Sequence, residues 1–270
     1  MSELAVLPGS KPTSSMEERP ASFTRDALVM VARCVRLSRR TVDALIMSLV
    51  LPVMLMLLFV YLFGGAIETG GEYVQYVVPG VILLSAGFGA AQTAVSVAQD
   101  QKGGIFNRFR TMDIGGAAVL SGHVAASVAR NVISTVLVFG VALLIGFRPS
   151  ATFTRWVAAA AVLLAFMFAI SWLSAAMGLL ARNPEAAAGF TFFVAFLPYP
   201  SSAFVPVQTM PMWLHGFANH QPVTPVIETV RGHLLNLPVG THVWAALAWC
   251  AGIAVTAVVL SAVLFRRRTA

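Results

Sequence analysis

The chain has 270 residues, of which 58% are hydrophobic and only 11% charged, and its formal net charge is +7. A soluble domain carries about 25% charged residues, so water is a poor candidate for the solvent around most of this chain. Nor does the basic balance point to nucleic acid: no basic-aromatic platform is present, and Lys and Arg gather at the ends of apolar runs, where membrane topology accounts for them.

Residues 1–21, rich in Ser, Pro and Glu, are expected to form a disordered cytoplasmic tail. No continuous apolar stretch occurs through residue 40, so a cleavable leader is not expected. Residues 22–40 have helical period. Phe23, Ala27, Met30, Val31, Cys34 and Leu37 share one face, while Arg25, Arg33, Arg36, Arg39 and Arg40 fall on the other. Such a helix lies in the membrane surface with its arginines among phosphates.

Beyond residue 43 the charges bracket six apolar gaps: 44–67, 73–99, 131–147, 156–181, 186–227 and 232–265. A spanning helix needs about 20 residues. The gaps therefore predict an all-α integral membrane domain over 22–270, with six transmembrane helices at about 44–64, 75–98, 118–147, 156–180, 186–205 and 242–265. Arg130, at the edge of the third apolar gap, is expected to snorkel to the surface. The turn Arg182-Asn183-Pro184-Glu185 joins spans four and five. The stretch 198–240 holds seven of the chain's 14 prolines and is too broken for one straight helix. Two short helices dipping back into the membrane are expected there, since irregular backbone at that depth must be buried in protein or line a cavity.

Of 18 Lys and Arg, 14 lie in 1–43, 99–117, 181–185 and 266–270, while Arg148, Arg155 and Arg231 lie opposite. The positive-inside bias predicts both termini in the cytoplasm. Cys34 and Cys250 fall at different depths, so no disulfide is expected.

Catalytic signatures are missing. Neither Lys11 nor Lys102 follows a glycine, so no phosphate-cradling loop is present. His215, His220, His233 and His242 have only Glu228 as a nearby acid in sequence, which is a poor metal set. No span centre carries the Asp/Glu/His chain of a proton relay. The chain is expected to be neither an enzyme nor a metal binder.

Two segments carry a resemblance. One is Asp100-Gln-Lys-Gly-Gly104-Ile-Phe106-Asn-Arg108-Phe109-Arg110-Thr-Met112. The other is Arg182-Asn-Pro-Glu185, followed by Ser202-Ala-Phe204-Val-Pro206-Val-Gln-Thr-Met210-Pro211-Met-Trp213, Gln221-Pro222-Val-Thr-Pro225 and Arg231-Gly232. Both resemble type-2 ABC transporter permeases of the daunorubicin-resistance class, over residues 22–268. The resemblance implies a permease that pairs with a second permease subunit, identical or sister, and with two copies of an ABC ATPase subunit carrying ATP and Mg. The chain itself would bind no cofactor and no nucleic acid. Asp100, Gly104, Phe106, Arg108, Phe109 and Arg110 would belong to a cytoplasmic coupling helix docked on the ATPase. Arg33, Arg36, Arg39 and Arg40 would hold the interfacial helix on membrane lipids. Asn183, Pro184 and Glu185 would form a cytoplasmic turn. An outward re-entrant helical hairpin before the last span, with Phe204, Pro206, Met210, Pro211, Trp213, Pro222 and Pro225, would be an outer gate. Asp113 stands where the family usually has proline, and Asn107 where an acid is common, so the coupling contacts differ in detail.

The implied function is the membrane-spanning subunit of an ATP-driven exporter in a prokaryotic plasma membrane. It would move a hydrophobic drug, polyketide or lipid-like substrate outward. Export of a lipid-linked glycan or polysaccharide is the alternative. An ion-coupled carrier and a non-transporting membrane assembly protein are the readings from other classes.

Overall fold

The computed structural model describes residues 42–67, 69–105 and 116–269. The expected interfacial helix 22–40 and the core of the expected coupling helix, 106–115, lie outside the described residues. Every described element is helical. Helix α1, Val42–Leu58, contains Pro52 and ends in one π-helical turn, Phe59–Phe63. Then come α2, Tyr73–Lys102; α3, Gly116–Leu144; α4, Phe153–Leu180; and α5, Pro184–Phe196. A 3-10 turn at Val207–Thr209 precedes two short helices, α6, Met212–His220, and α7, Val223–Leu234. The last helix is α8, His242–Thr269.

Among the described residues, four helices are long and apolar enough to cross a bilayer: α2, α3 from Val119, α4, and α8 to Leu264. The protein is therefore a multi-pass membrane protein. The apolar helices α1 and α5 are shorter. The fifth predicted span was expected to run to 205, but α5 stops at Phe196 and the chain continues in turns. Pro198 and Pro200 are the physical reason: neither has an N–H to extend the helical ladder, so the hydrogen bonding of α5 stops there although Leu197 still has helical angles (φ −57°, ψ −33°).

Helix α2 is the centre of the molecule. It packs against α1, α3, α4, α5 and α7. Its small residues let neighbours approach closely, as they do between helices in lipid. At the α4 crossing, a Cβ added to Gly178 would stand 2.5 Å from the Ala94 carbonyl oxygen. Helix α8 packs on α4 and α7 and exposes Val255, Val258, Val259 and Val263, a face suited to hydrocarbon.

Helix ends follow local chemistry. Gly146 (φ 111°) closes α3: its N–H reaches the Leu143 carbonyl at 3.3 Å, and Phe147 N–H reaches that of Ala142 at 2.9 Å. This is a Schellman arrangement, with the fully buried Phe147 as its apolar contact. The loop after α7 repeats it with Asn236 (φ 58°) at the left-handed position and Leu237 N–H on the Gly232 carbonyl at 2.8 Å.

Arg130 departs from expectation. It does not snorkel: it is 9% exposed, and its Nη2 donates to the Gly89 carbonyl and Thr93 Oγ1 of α2, each at 3.2 Å. Its position on α3 fixes this outcome. Ser127, Arg130, Asn131 and Ser134 share one stripe at helical spacing, and all four are buried. Ser134 meets Ser85 of α2 at 3.1 Å, and Ser127 meets Ser171 of α4 at 2.9 Å.

Candidate functional site

The candidate site lies where the proline-rich segment folds onto the first turns of α2. Once α5 ends, residues 197–204 form a turn that makes its own hydrogen bonds. Ser201 Oγ donates to the Pro198 carbonyl and accepts from Ala203 N–H at 3.1 Å. The α6–α7 corner supplies the rest. Gln221 Nε2 donates to the Pro200 carbonyl at 2.7 Å, and Ser202 N–H donates to Thr224 Oγ1 at 3.4 Å. Backbone groups stranded by proline thus find partners inside the protein, as burial requires.

Arg231 of α7 fastens this turn to α2. It is 5% exposed. Its Nε and Nη2 donate to the Tyr76 carbonyl at 3.1 and 3.0 Å, and Nη2 also donates to the Ser202 carbonyl at 2.7 Å. Nη1 pairs with the Glu228 carboxylate one turn back on α7. The guanidinium carbon lies 3.8 Å from the centroid of the Tyr76 ring, a cation–π distance. A planar fork of donors is what this geometry needs, and arginine supplies it where lysine cannot. Nearby, Tyr73 hydroxyl donates to the Phe204 carbonyl at 2.8 Å. Gly80 completes the seat: a Cβ there would be 2.6 Å from Ala203 Cα.

An aromatic series crosses the same turn. Phe192, Phe196, Tyr199 and Phe204 follow one another at centroid distances of 5.9, 4.9 and 5.5 Å. Phe204 then stacks on Phe59 of the π turn at 4.4 Å, and Phe59 meets Phe63 at 5.5 Å. The turn is therefore held by polar bonds toward α2 and α7 and by rings toward α1 and α5.

Of the residues singled out from sequence, Phe204, Pro222 and Pro225 belong to this cluster. Phe204 is buried, Pro222 stands at the N-cap of α7, and Pro225 lies buried in its first turn, where its carbonyl accepts from Thr229 Oγ1 at 2.7 Å. Pro206 starts the 3-10 turn, with its carbonyl accepting from Thr209 Oγ1 at 2.8 Å. Met210, Pro211 and Trp213 sit apart, on and before α6. The Met210 carbonyl accepts from His215 Nε2 at 2.8 Å, and Trp213 is 80% exposed beside exposed Met212 and Phe217.

At the other end of α2, the Asp100 carboxylate stands 3.2 Å from His123 Nε2 of α3. The pair joins the two helices on either side of the 103–115 connection. Gly104 takes φ 70°, a left-handed value that favours glycine. Phe106, Arg108, Phe109 and Arg110 lie outside the described residues, as do Arg33, Arg36, Arg39 and Arg40. Asn183 is the N-cap of α5, its Oδ1 accepting from Ala186 N–H at 2.7 Å; Pro184 and Glu185 fill the first turn. That order matches helix-start chemistry. Among the described residues, no three His, Cys, Asp or Glu stand close enough together to hold a metal ion.

The sequence placed Arg231 on the outer side and in the family motif, and Glu228 only as the acid nearest the histidines; it did not pair the two, and it gave Tyr73 and Tyr76 no role. A Glu-x-x-Arg pair on a short apolar helix was the available signal, because two charges on such a helix need partners.

Comparison with known proteins matches residues 25–235 to a family model described as ABC-2 type transporter. The chain is 31% identical over 260 residues to a protein of Streptomyces coeruleorubidus named "Daunorubicin resistance ABC transporter permease protein DrrB1", covering 95% of this chain and 92% of that one. It is 24% identical over 269 residues to a protein of Mycobacterium tuberculosis named "Probable doxorubicin resistance ABC transporter permease protein DrrC", covering 97% and 93%.

Proposed function

The chain belongs to the ABC-2 type transporter family, and on that premise we propose that it is the membrane-spanning subunit of an ATP-driven exporter of hydrophobic drug-like or polyketide compounds. ATP and Mg belong to a separate ATPase subunit, present in two copies, and the permease acts as a pair. In this reading α1 and α5 complete six spans, both termini are cytoplasmic, and α6 and α7 form an outward re-entrant hairpin. The bias of 14 of 18 Lys and Arg toward one side supports that orientation.

One observation carries the mechanism. One helix, α2, continuous from Tyr73 to Lys102 with Pro79 in its second turn, has the Arg231-held turn at its first turns and the Asp100–His123 pair at its last. Its 30 residues make a rod of about 45 Å, the thickness of a bilayer with its headgroups. A push on the 103–115 connection when the ATPase pair closes would reach the turn at 197–204 as a rigid displacement of α2. Packed helices move as bodies rather than deform, so the hairpin would be lifted or tilted with it. The aromatic series from Phe192 to Phe63 gives an apolar cargo a surface of matching chemistry.

The test is the double substitution R108E/R110E in the chain expressed with its ATPase. Loss of ATP-driven transport, with normal membrane insertion and reduced recovery of the ATPase on purification, supports the reading. Unchanged transport would overturn it.

A further inference from the structure

A crevice opens between α3 and α4. Val132, Thr135 and Phe139 line one wall, and Trp156, Ala160 and Met167 the other, over a floor that includes Ile82 and Leu234; the volume is about 290 Å³. The lining is almost wholly carbon, and Val132, Val136, Trp156 and Leu164 on its rim are exposed. Sites that enclose a drug-sized molecule run from about 300 to 1,000 Å³, so this one stands at the small end of that range.

Its length and its charged end identify the occupant. From Trp156 to Met167 is a climb of about 16 Å at 1.5 Å per residue, half of a hydrocarbon core of about 30 Å. The crevice is one leaflet deep. It starts at the α3–α4 loop, where the Phe139 and Trp156 rings meet edge to face at 5.3 Å. The flanks of that loop carry Arg148 and Arg155. Arg148 Nη1 donates to the Leu143 and Phe147 carbonyls, and Arg155 Nη1 to those of Gly232 and Leu237. These bonds hold both guanidinia at the loop while their Nε and Nη2 groups have no acceptor among the described residues. Tryptophan and arginine at one end of an apolar slot match the headgroup boundary of a bilayer, and arginine is the side chain suited to phosphate.

We propose that the α3–α4 crevice binds an acyl chain of an anionic phospholipid, whose phosphate is held by Arg148 and Arg155. The site stands apart from the aromatic series, although α7 lends Leu234 to its floor, and it requires only that the chain spans a membrane.

The experiment uses the full chain in phosphatidylcholine vesicles, with brominated phosphatidylglycerol or brominated phosphatidylcholine replacing part of the lipid. Bromine on an acyl chain quenches indole fluorescence on contact. The Trp156 signal is the difference between the wild type and W156F. Brominated phosphatidylglycerol is expected to quench it with higher affinity than brominated phosphatidylcholine, by about fivefold for each arginine that meets the phosphate. R148Q, outside the hydrocarbon, is expected to lose about one such factor. A160F, at an exposed position on the rim, is expected to abolish the preference by filling the slot. Equal quenching by the two lipids would mean ordinary annular contact and overturn the proposal. So would a preference unchanged in A160F. A Trp156 shielded from both lipids would mean that a second copy of the chain covers the crevice, which also overturns it.

Discussion

The Arg231 guanidinium lies 3.8 Å from the centre of the Tyr76 ring while donating two hydrogen bonds to the carbonyl of the same residue. One side chain from α7 thus recognises both the ring and the backbone at the head of α2, and a third bond brings in Ser202. The relationship joins positions 155 residues apart.

Arg231→Met is expected to lower the thermal midpoint and abolish transport. It would leave the buried Ser202 carbonyl without its donor, at about 1–3 kcal/mol, and the partly exposed Glu228 carboxylate without its cation, at less. Arg231→Lys keeps the charge but not the planar fork, so it should fall between the two. Thermal unfolding in detergent, read beside transport, checks the order; a Met variant as stable as the wild type would contradict the role assigned to Arg231.

Gly80 provides the seat for the turn, with room for hydrogen and no more. Gly80→Ala is expected to lift residues 201–204 off α2, since the new Cβ would lie 2.6 Å from Ala203 Cα and from the Ala203 carbonyl oxygen. Ser202 is 2% exposed, and its hydroxyl has no partner among the described residues, so Ser202→Cys is a mild reporter. In a background lacking Cys34 and Cys250, the thiol introduced by Ser202→Cys should resist a membrane-impermeant maleimide while Gly80 is present. It should react once Gly80→Ala is added. Equal labelling rates would show that the turn does not depend on this contact.

What was legible in the sequence is the set of places where the chain cannot leave lipid. Charges are costly in hydrocarbon, so the gaps from Glu72 to Asp100 and from Arg155 to Arg182 predicted α2 and α4 to within a few residues. The prolines of 198–240 likewise predicted two short helices in place of one long one. Charge spacing says nothing of which way a helix face turns. Arg130 was therefore expected at the surface, and only its shared stripe with Asn131 and Ser134 explains why it points at α2. The Arg231 contact was hidden for a different reason. Two of the acceptors that hold Arg231 are backbone carbonyls, of Tyr76 and Ser202, and every residue type carries one.

Asn183 offers a prediction with a well-calibrated size. Its side chain satisfies Ala186 N–H at the start of α5. Asn183→Ala should cost about 1 kcal/mol, within a range of about 0.5–2 kcal/mol for such caps. Asn183→Asp should be neutral or slightly stabilising, because a carboxylate both caps the helix and faces its positive end. Denaturation midpoints of the two variants, measured under one set of conditions, decide the matter; an Ala variant indistinguishable from Asp would mean that tertiary packing, not the cap, fixes this helix start.

Gly87 and Gly89, on the same helix α2, should respond to alanine in opposite directions. In a helix interior, glycine is less favourable than alanine by about 0.5–1 kcal/mol. At Gly87 a new Cβ would meet only Ala195 Cα, at 3.7 Å, an ordinary contact. Gly87→Ala should therefore be neutral or stabilising by up to that amount. At Gly89 the Cβ would overlap Asn131 Oδ1. Asn131 is fully buried beside Arg130, which itself donates to the Gly89 carbonyl, so its amide would have to turn within a packed seam. Overpacking of this kind costs about 1–3 kcal/mol, which exceeds the gain in helix propensity. Gly89→Ala should destabilise the protein and part α2 from α3, and Asn131→Ala in the same chain should restore much of the loss by removing the obstructing atoms. Parallel thermal melts of G87A, G89A and G89A/N131A test the sign of each change. If G89A is as stable as G87A, the α2–α3 seam is looser than its geometry indicates, and α2 could not carry a displacement from one end to the other without slipping against α3.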